Sequence, residues 1–215
     1  MYRENVRVGD LVDGGAPLLG EPLPLELANA TYAVRGVLRD GLTEPAHLGA
    51  WLRDNRSRLA TRLTDAQLLG CTDDDLAAAR DLRDSVRALA SAAVRGTRPA
   101  PTVVSVLNAS VRAAARWREL TWRSEPVASE RSDAPPVRQA LGEIAAHAVD
   151  LFGGPDRLEL RACLAPGCVL YFLRQHARRE FCSTTCGNRV RAARHYARAT
   201  PPVDPPTPGT FIADR

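Results

Sequence analysis

The chain has 215 residues, 45% of them hydrophobic and only 5% aromatic, with 29 basic residues, all arginine, against 25 acidic ones. That suffices for one medium core plus a small module, and no apolar run reaches membrane-spanning length. Charge is uneven: residues 161–198 hold eight arginines and one acid, while residues 1–160 carry a net −2, the asymmetry expected of a nucleic-acid-binding module joined to a neutral domain.

In chain order, residues 1–20 read as a loose Gly- and Asp-rich arm. Leu23 to Leu27 alternates apolar and polar, and a helix is expected from Ala28 to about Gly36. Glu26 and Asn29 are candidates for a small ligand pocket; the plainer reading is that they cap a helix or settle a buried backbone group. Pro45 to Leu52 is a short helix opened by proline, with Trp51 inward. Thr64 and Gln67 form a capping box for a helix stopped near Gly70. Thr72 caps the next, whose first turn is acidic. Its Leu82, Val86, Leu89 and Ala93 share one face until Gly96. Cys71, at the join, is a small buried residue.

Pro101 to Ala115 is another helix, with Val104, Leu107, Val111 and Ala114 inward. Arg116–Arg123 and Val127–Arg131 read as a β-hairpin. Its Trp117, Leu120 and Trp122 are expected in a core, with stacking on bases as the other possibility. Ser132 to Pro136 breaks the chain. Val137 to Phe152 is a strong helix, with Leu141, Ile144, Ala145, Ala148 and Leu151 on one face, His147 solvated, and Gly153-Gly154 at its end. The link from Pro155 to Leu160 is short, so the segment that follows should pack on the preceding domain.

That segment holds four of the five cysteines, as Cys163-x4-Cys168, thirteen residues, then Cys182-x3-Cys186. Two close pairs joined by a hairpin-sized spacer suit zinc, which takes four tetrahedral thiolates. Disulfides need an oxidising compartment, and Met1 opens a charged stretch with no export-type apolar core. An iron–sulfur cluster fits the extended spacing less well. With four thiolates no position is left for water, so the site is structural. Ala165-Pro166-Gly167 makes a knuckle, Val169 to Leu173 a strand, and Arg174 to Arg179 a basic turn forming a hairpin. Ser183 or Thr184 then caps a helix with Cys186 in its first turn. On that helix Cys186, Val190, Ala193 and Ala197 face inward, and Arg191, Arg194, His195 and Arg198 outward.

The run Phe181-Cys182-Ser183, then Cys186-Gly187-Asn188-Arg189, followed by a basic helix through Tyr196, resembles the CGNR zinc finger, which closes bacterial proteins described as putative stress-induced transcription regulators. Arg174 and His176 stand where that family commonly has Asp and Ser. Upstream, the segment around Glu26 and Asn29, and Asn108, are similar to the family's accompanying domain. The resemblance implies a regulator whose first domain senses a signal or dimerises.

The expected fold is α+β, mainly α. It comprises an arm (1–20), a mainly helical regulatory domain with a small β-hairpin (21–157), a treble-clef-like zinc finger (158–199) and a Pro-rich tail (200–215). The expected ligands of one zinc ion are Cys163, Cys168, Cys182 and Cys186. The expected function is cytoplasmic, non-enzymatic transcription regulation. Duplex DNA would be met by Arg189, Arg191, Arg194 and Arg198, then by Arg178 and Arg179 from the turn. Asn188 and Arg189 also suit a structural role beside the ligands. The alternative is a protein-interaction finger, docking on RNA polymerase or pairing two copies, beside a helical domain that takes a small-molecule effector.

Overall fold

A computed structural model describes residues 15–199; the expected Pro-rich tail and most of the expected arm lie outside the described residues. The core of residues 21–157 is helical. Its central element, α4 (Asp73–Arg95), packs with α5 (Pro101–Ala113), α6 (Pro136–Gly153), α2 (Pro45–Asn55) and the short α1 (Leu23–Ala28), every residue of which is buried. Both local start signals act as read. Thr64 and Thr72 form capping boxes with Gln67 and Asp75, opening α3 (Asp65–Leu69) and α4, and Gly96 ends α4 in the left-handed region at φ 64°. Trp51, Leu82, Leu107, Leu141 and Ile144 join one apolar cluster. Gly142 lets α6 approach the end of α5: a Cβ there would lie 2.3 Å from that of Ala114.

Four expectations change. The helix read from Ala28 to Gly36 is instead a hairpin of β1 (Thr31–Val34) and β2 (Val37–Asp40). Its β-branched and aromatic residues favour strand, and Arg35 and Gly36, at φ 50° and 80°, supply a two-residue turn with both φ positive. On α5 the inward ridge runs through Val103, Leu107 and Val111, leaving Val104 exposed, because Ser85 on α4 bonds the Val103 carbonyl at 2.8 Å and sets the helix's rotation. The hairpin of β3 (Trp117–Trp122) and β4 (Pro126–Arg131) forms as read, but Trp117, Leu120 and Trp122 lie outside any core, at 42%, 64% and 72% exposure. In the C-terminal segment, β6 (Tyr171–Leu173) pairs with β5 (Leu160–Ala162), which precedes the knuckle, rather than with a strand after the basic turn. The knuckle is thus the loop of its own hairpin.

The C-terminal module is seated on the helical domain, as its short link implied. Leu25, Ala90, Leu151, Leu160 and Leu173 form a shared apolar seam, and Tyr32 of β1 packs against the cysteine cluster. Among the described residues, no helix is long and apolar enough to cross a membrane.

Candidate metal centre and basic helix

The four cysteines converge because three local structures aim them. In the knuckle, Cys163 N–H donates to Leu170 at 2.8 Å and Cys168 N–H to Ala165 at 2.9 Å, with Gly167 at φ 70° closing the turn. The Ser183 hydroxyl accepts the Cys186 amide at 3.3 Å and caps α7 (Thr184–Ala199), fixing Cys186 in its first turn. The β5–β6 ladder holds the knuckle against the helix start. As a result all four Sγ atoms lie within 4.8 Å of one another. Cys168 and Cys182 are 3.8 Å apart, and Cys182 and Cys186 3.5 Å. A tetrahedron of sulfurs about 2.3 Å from a zinc ion has edges of about 3.8 Å, so the cage has the right size.

Electrostatics point the same way. Hydrogen bonds from Cys168, Cys182 and Cys186 push Cys163 down, whereas bonds from Cys163 raise Cys168 and Cys182. Thiols this close cannot all ionise alone; a divalent cation lets four thiolates coexist. The ion is structural, since the thiolates fill its coordination shell.

Two of the arginines read as nucleic-acid contacts are committed to this centre. Arg189 donates to the Pro166 carbonyl at 2.8 Å and to Cys186 Sγ at 3.5 Å, tying the helix to the knuckle. Arg179 is withdrawn from the surface. It donates to the Leu173 and Cys182 carbonyls at 3.0 and 3.1 Å, pairs with Glu21, and lies over the Phe172 ring at 5.0 Å. Arg178, Arg191, Arg194 and Arg198 are exposed. Of these, Arg191 bonds the Asn188 side chain, so Asn188 serves the outer face rather than the thiolates. Ala193, read as inward, is exposed, and the side chain of Ala197 lies outside the described residues.

Glu26 and Asn29 are both fully buried, and backbone groups occupy their polar atoms. Asn29 bonds Tyr171 twice, donating to its carbonyl at 2.8 Å and accepting its amide at 2.9 Å. Glu26 accepts the amides of Leu19 at 3.0 Å and Glu21 at 2.7 Å, with Arg58 at 3.6 Å. Burial pushes its carboxyl up to about 7, against the pull of those amides and of Arg58. These are the contacts of groups that settle buried backbone.

Glu21 and Arg87 carry no local sequence signal, yet they brace the module. Buried Glu21 takes the Leu173 amide at 2.9 Å as well as Arg179. Arg87 of α4 reaches the carbonyls of Ala28, Thr31 and Val169 and lies 5.5 Å from the Tyr171 ring centre. Between α7 and the β5–β6 hairpin runs a groove of about 790 Å³, floored by Phe172, Phe181 and Val190 and flanked by Arg174 and Arg194. Neither Glu26 nor Asn29 lines it.

Residues 21–155 match the family described as a putative stress-induced transcription regulator, and residues 159–199 match the CGNR zinc finger. No curated protein matches the chain.

Proposed function

This chain belongs to the family of putative stress-induced transcription regulators, closed by a CGNR zinc finger, and from that premise we propose that its finger binds duplex DNA through α7. The observation that carries the reading is the composition of that helix's exposed side. From Thr184 to Ala199 there is no acid, and Arg191, Arg194 and Arg198 stand exposed, as does Arg178 in the turn. Balancing the thiolates needs only the arginines that touch the metal centre; these four do not. Phosphates are the chemistry such a row suits, and a guanidinium can also read a guanine edge. The finger, which we read as treble-clef-like, serves as a rigid mount. The reading is non-enzymatic and places the protein in the cytoplasm, with the helical domain receiving the signal, including any small-molecule effector.

Titrating zinc-loaded protein into labelled random-sequence duplex at several salt concentrations tests this. Binding whose logarithm falls with log salt by about 0.9 per phosphate contact, three or four contacts in all, is the expected result. No binding at low salt would overturn it. The groove beside α7 supports a second reading, in which the finger docks on a protein such as RNA polymerase and free DNA binds weakly.

A further inference from the structure

The β3–β4 hairpin takes no part in the metal centre or the basic helix. Its root is fixed: Arg116 donates to the Gln139 carbonyl at 3.1 Å and pairs with Glu143 and Glu130 at 3.3 Å each. Beyond the root, neither strand pairs with a third among the described residues. Trp117, Leu120 and Trp122 on β3 are 42%, 64% and 72% exposed. A lone two-stranded ribbon is marginal in water, and its outer edges offer unpaired N–H and C=O groups that another strand satisfies best.

Charge selects the kind of partner. Residues 117–131 carry three arginines and three glutamates, a net of zero, in contrast to the +7 of residues 161–198. Nucleic acid or an acidic protein would select a net positive ribbon; a neutral ribbon of interleaved signs is complementary to itself.

We propose that β3 pairs antiparallel with β3 of a second copy about a two-fold axis at Leu120, making a four-stranded sheet across a homodimer. In that register Arg118 stands opposite Trp122 of the partner subunit and Trp117 opposite Arg123 of the partner subunit, so both tryptophans meet a guanidinium, twice over. Glu119 stands opposite Thr121 of the partner subunit. A one-residue slip in either direction sets Arg123 against an arginine of the copy, Arg116 or Arg118, which like-charge repulsion disfavours. Opposed residues share a face, so Leu120 and Trp122 of both copies form one stripe continuous with Ala128 and Pro126 of each β4.

Sedimentation equilibrium of the full-length, zinc-loaded chain over a wide concentration range reads this directly. The wild type should pass from protomer to dimer. Leu120→Lys, which sets two ammonium groups together on the axis, should remain a monomer, with zinc content and helicity unchanged as the check on folding. Trp122→Ala should weaken dimerisation by about tenfold. In a Cys71→Ser background, Leu120→Cys should cross-link to itself under mild oxidation, and Ser124→Cys at the tip should not. A wild type that stays monomeric throughout would overturn the proposal. So would a dimer that survives Leu120→Lys while Leu120→Cys fails to cross-link. A tryptophan emission shift that appears only when duplex is added would also overturn it and assign the hairpin to base stacking.

Discussion

The finger has two sides built on opposite rules. On the side toward the helical domain, buried polar groups meet partners across the seam: Asn29 answers both backbone groups of Tyr171, and Glu21 answers Leu173 and Arg179. On the side toward solvent, Arg178, Arg194 and Arg198 project from exposed positions, and Arg191 bonds the exposed Asn188. The same residue type thus does two jobs within one small module. An arginine held by carbonyls and a buried carboxylate stiffens the fold, because removing it strands its partners. An arginine facing water is free to trade its hydration for a phosphate. The inner side fixes how α7 is presented, and the outer side supplies what it presents.

Removing the metal should break this contrast most severely. Cys168→Ala is expected to abolish bound zinc and unfold residues 158–199, since zinc-binding free energy in such modules is folding free energy, on the order of 10 kcal/mol. Metal content together with amide exchange across the finger measures it, and a full zinc equivalent in the variant would sink the ligand assignment. Next comes the inner side itself. Asn29→Ala, at a fully buried position, leaves the amide and carbonyl of half-buried Tyr171 without their partner and should cost about 2–4 kcal/mol in chemical denaturation. A loss under 1 kcal/mol, the size of an ordinary surface change, would mean that the seam does not depend on this pair.

Much of this was legible from local chemistry, and what was not shares one cause. Cysteine spacing, capping boxes, proline starts and glycine stops act within a few residues, and they located the metal site and helices α2 to α7. Thr31 to Val34 was misread because its neighbours Ala28 and Ala30 favour helix, while the turn at Arg35-Gly36 declares itself only through backbone angles. Trp117 and Trp122 were read as core because large aromatics usually are; alternation with Arg and Glu was the contrary signal. Glu21 and Arg179 lie 158 positions apart, and no period or motif links residues across such a distance. Of the six arginines proposed for DNA, composition could not separate Arg179 and Arg189, which partners claim, from the four that stand exposed.

A smaller effect sharpens the inner side through pH. Burial raises the Glu26 carboxyl to about 7 from its ordinary 4.5, and raises Glu21 as well. For a group raised on folding, the native state holds the extra proton, so its stabilising contribution is complete below about pH 4.5 and is lost as pH rises through 7. Glu26→Gln removes that titration. The difference in urea midpoint between pH 5 and pH 7.5 should therefore shrink in the variant, and an unchanged difference would show that Glu26 ionises as freely folded as unfolded.

The smallest effect on stability belongs to the outer side, where the consequence for binding is largest. Arg191→Ala with Arg194→Ala removes two exposed side chains, of which Arg191 bonds Asn188, and should change unfolding free energy by no more than about 0.5 kcal/mol. The same pair should flatten the log–log salt dependence of duplex binding by about two units, at 0.9 per phosphate lost. Arg189→Ala is the informative contrast. It releases the Pro166 carbonyl and the Cys186 thiolate, so it should weaken zinc retention against a chelator, which the outer pair should leave unchanged. If all three variants lost zinc alike, the division of labour within the finger would be wrong. If the outer pair kept both its zinc and the wild-type salt slope, the DNA contacts would lie on another face.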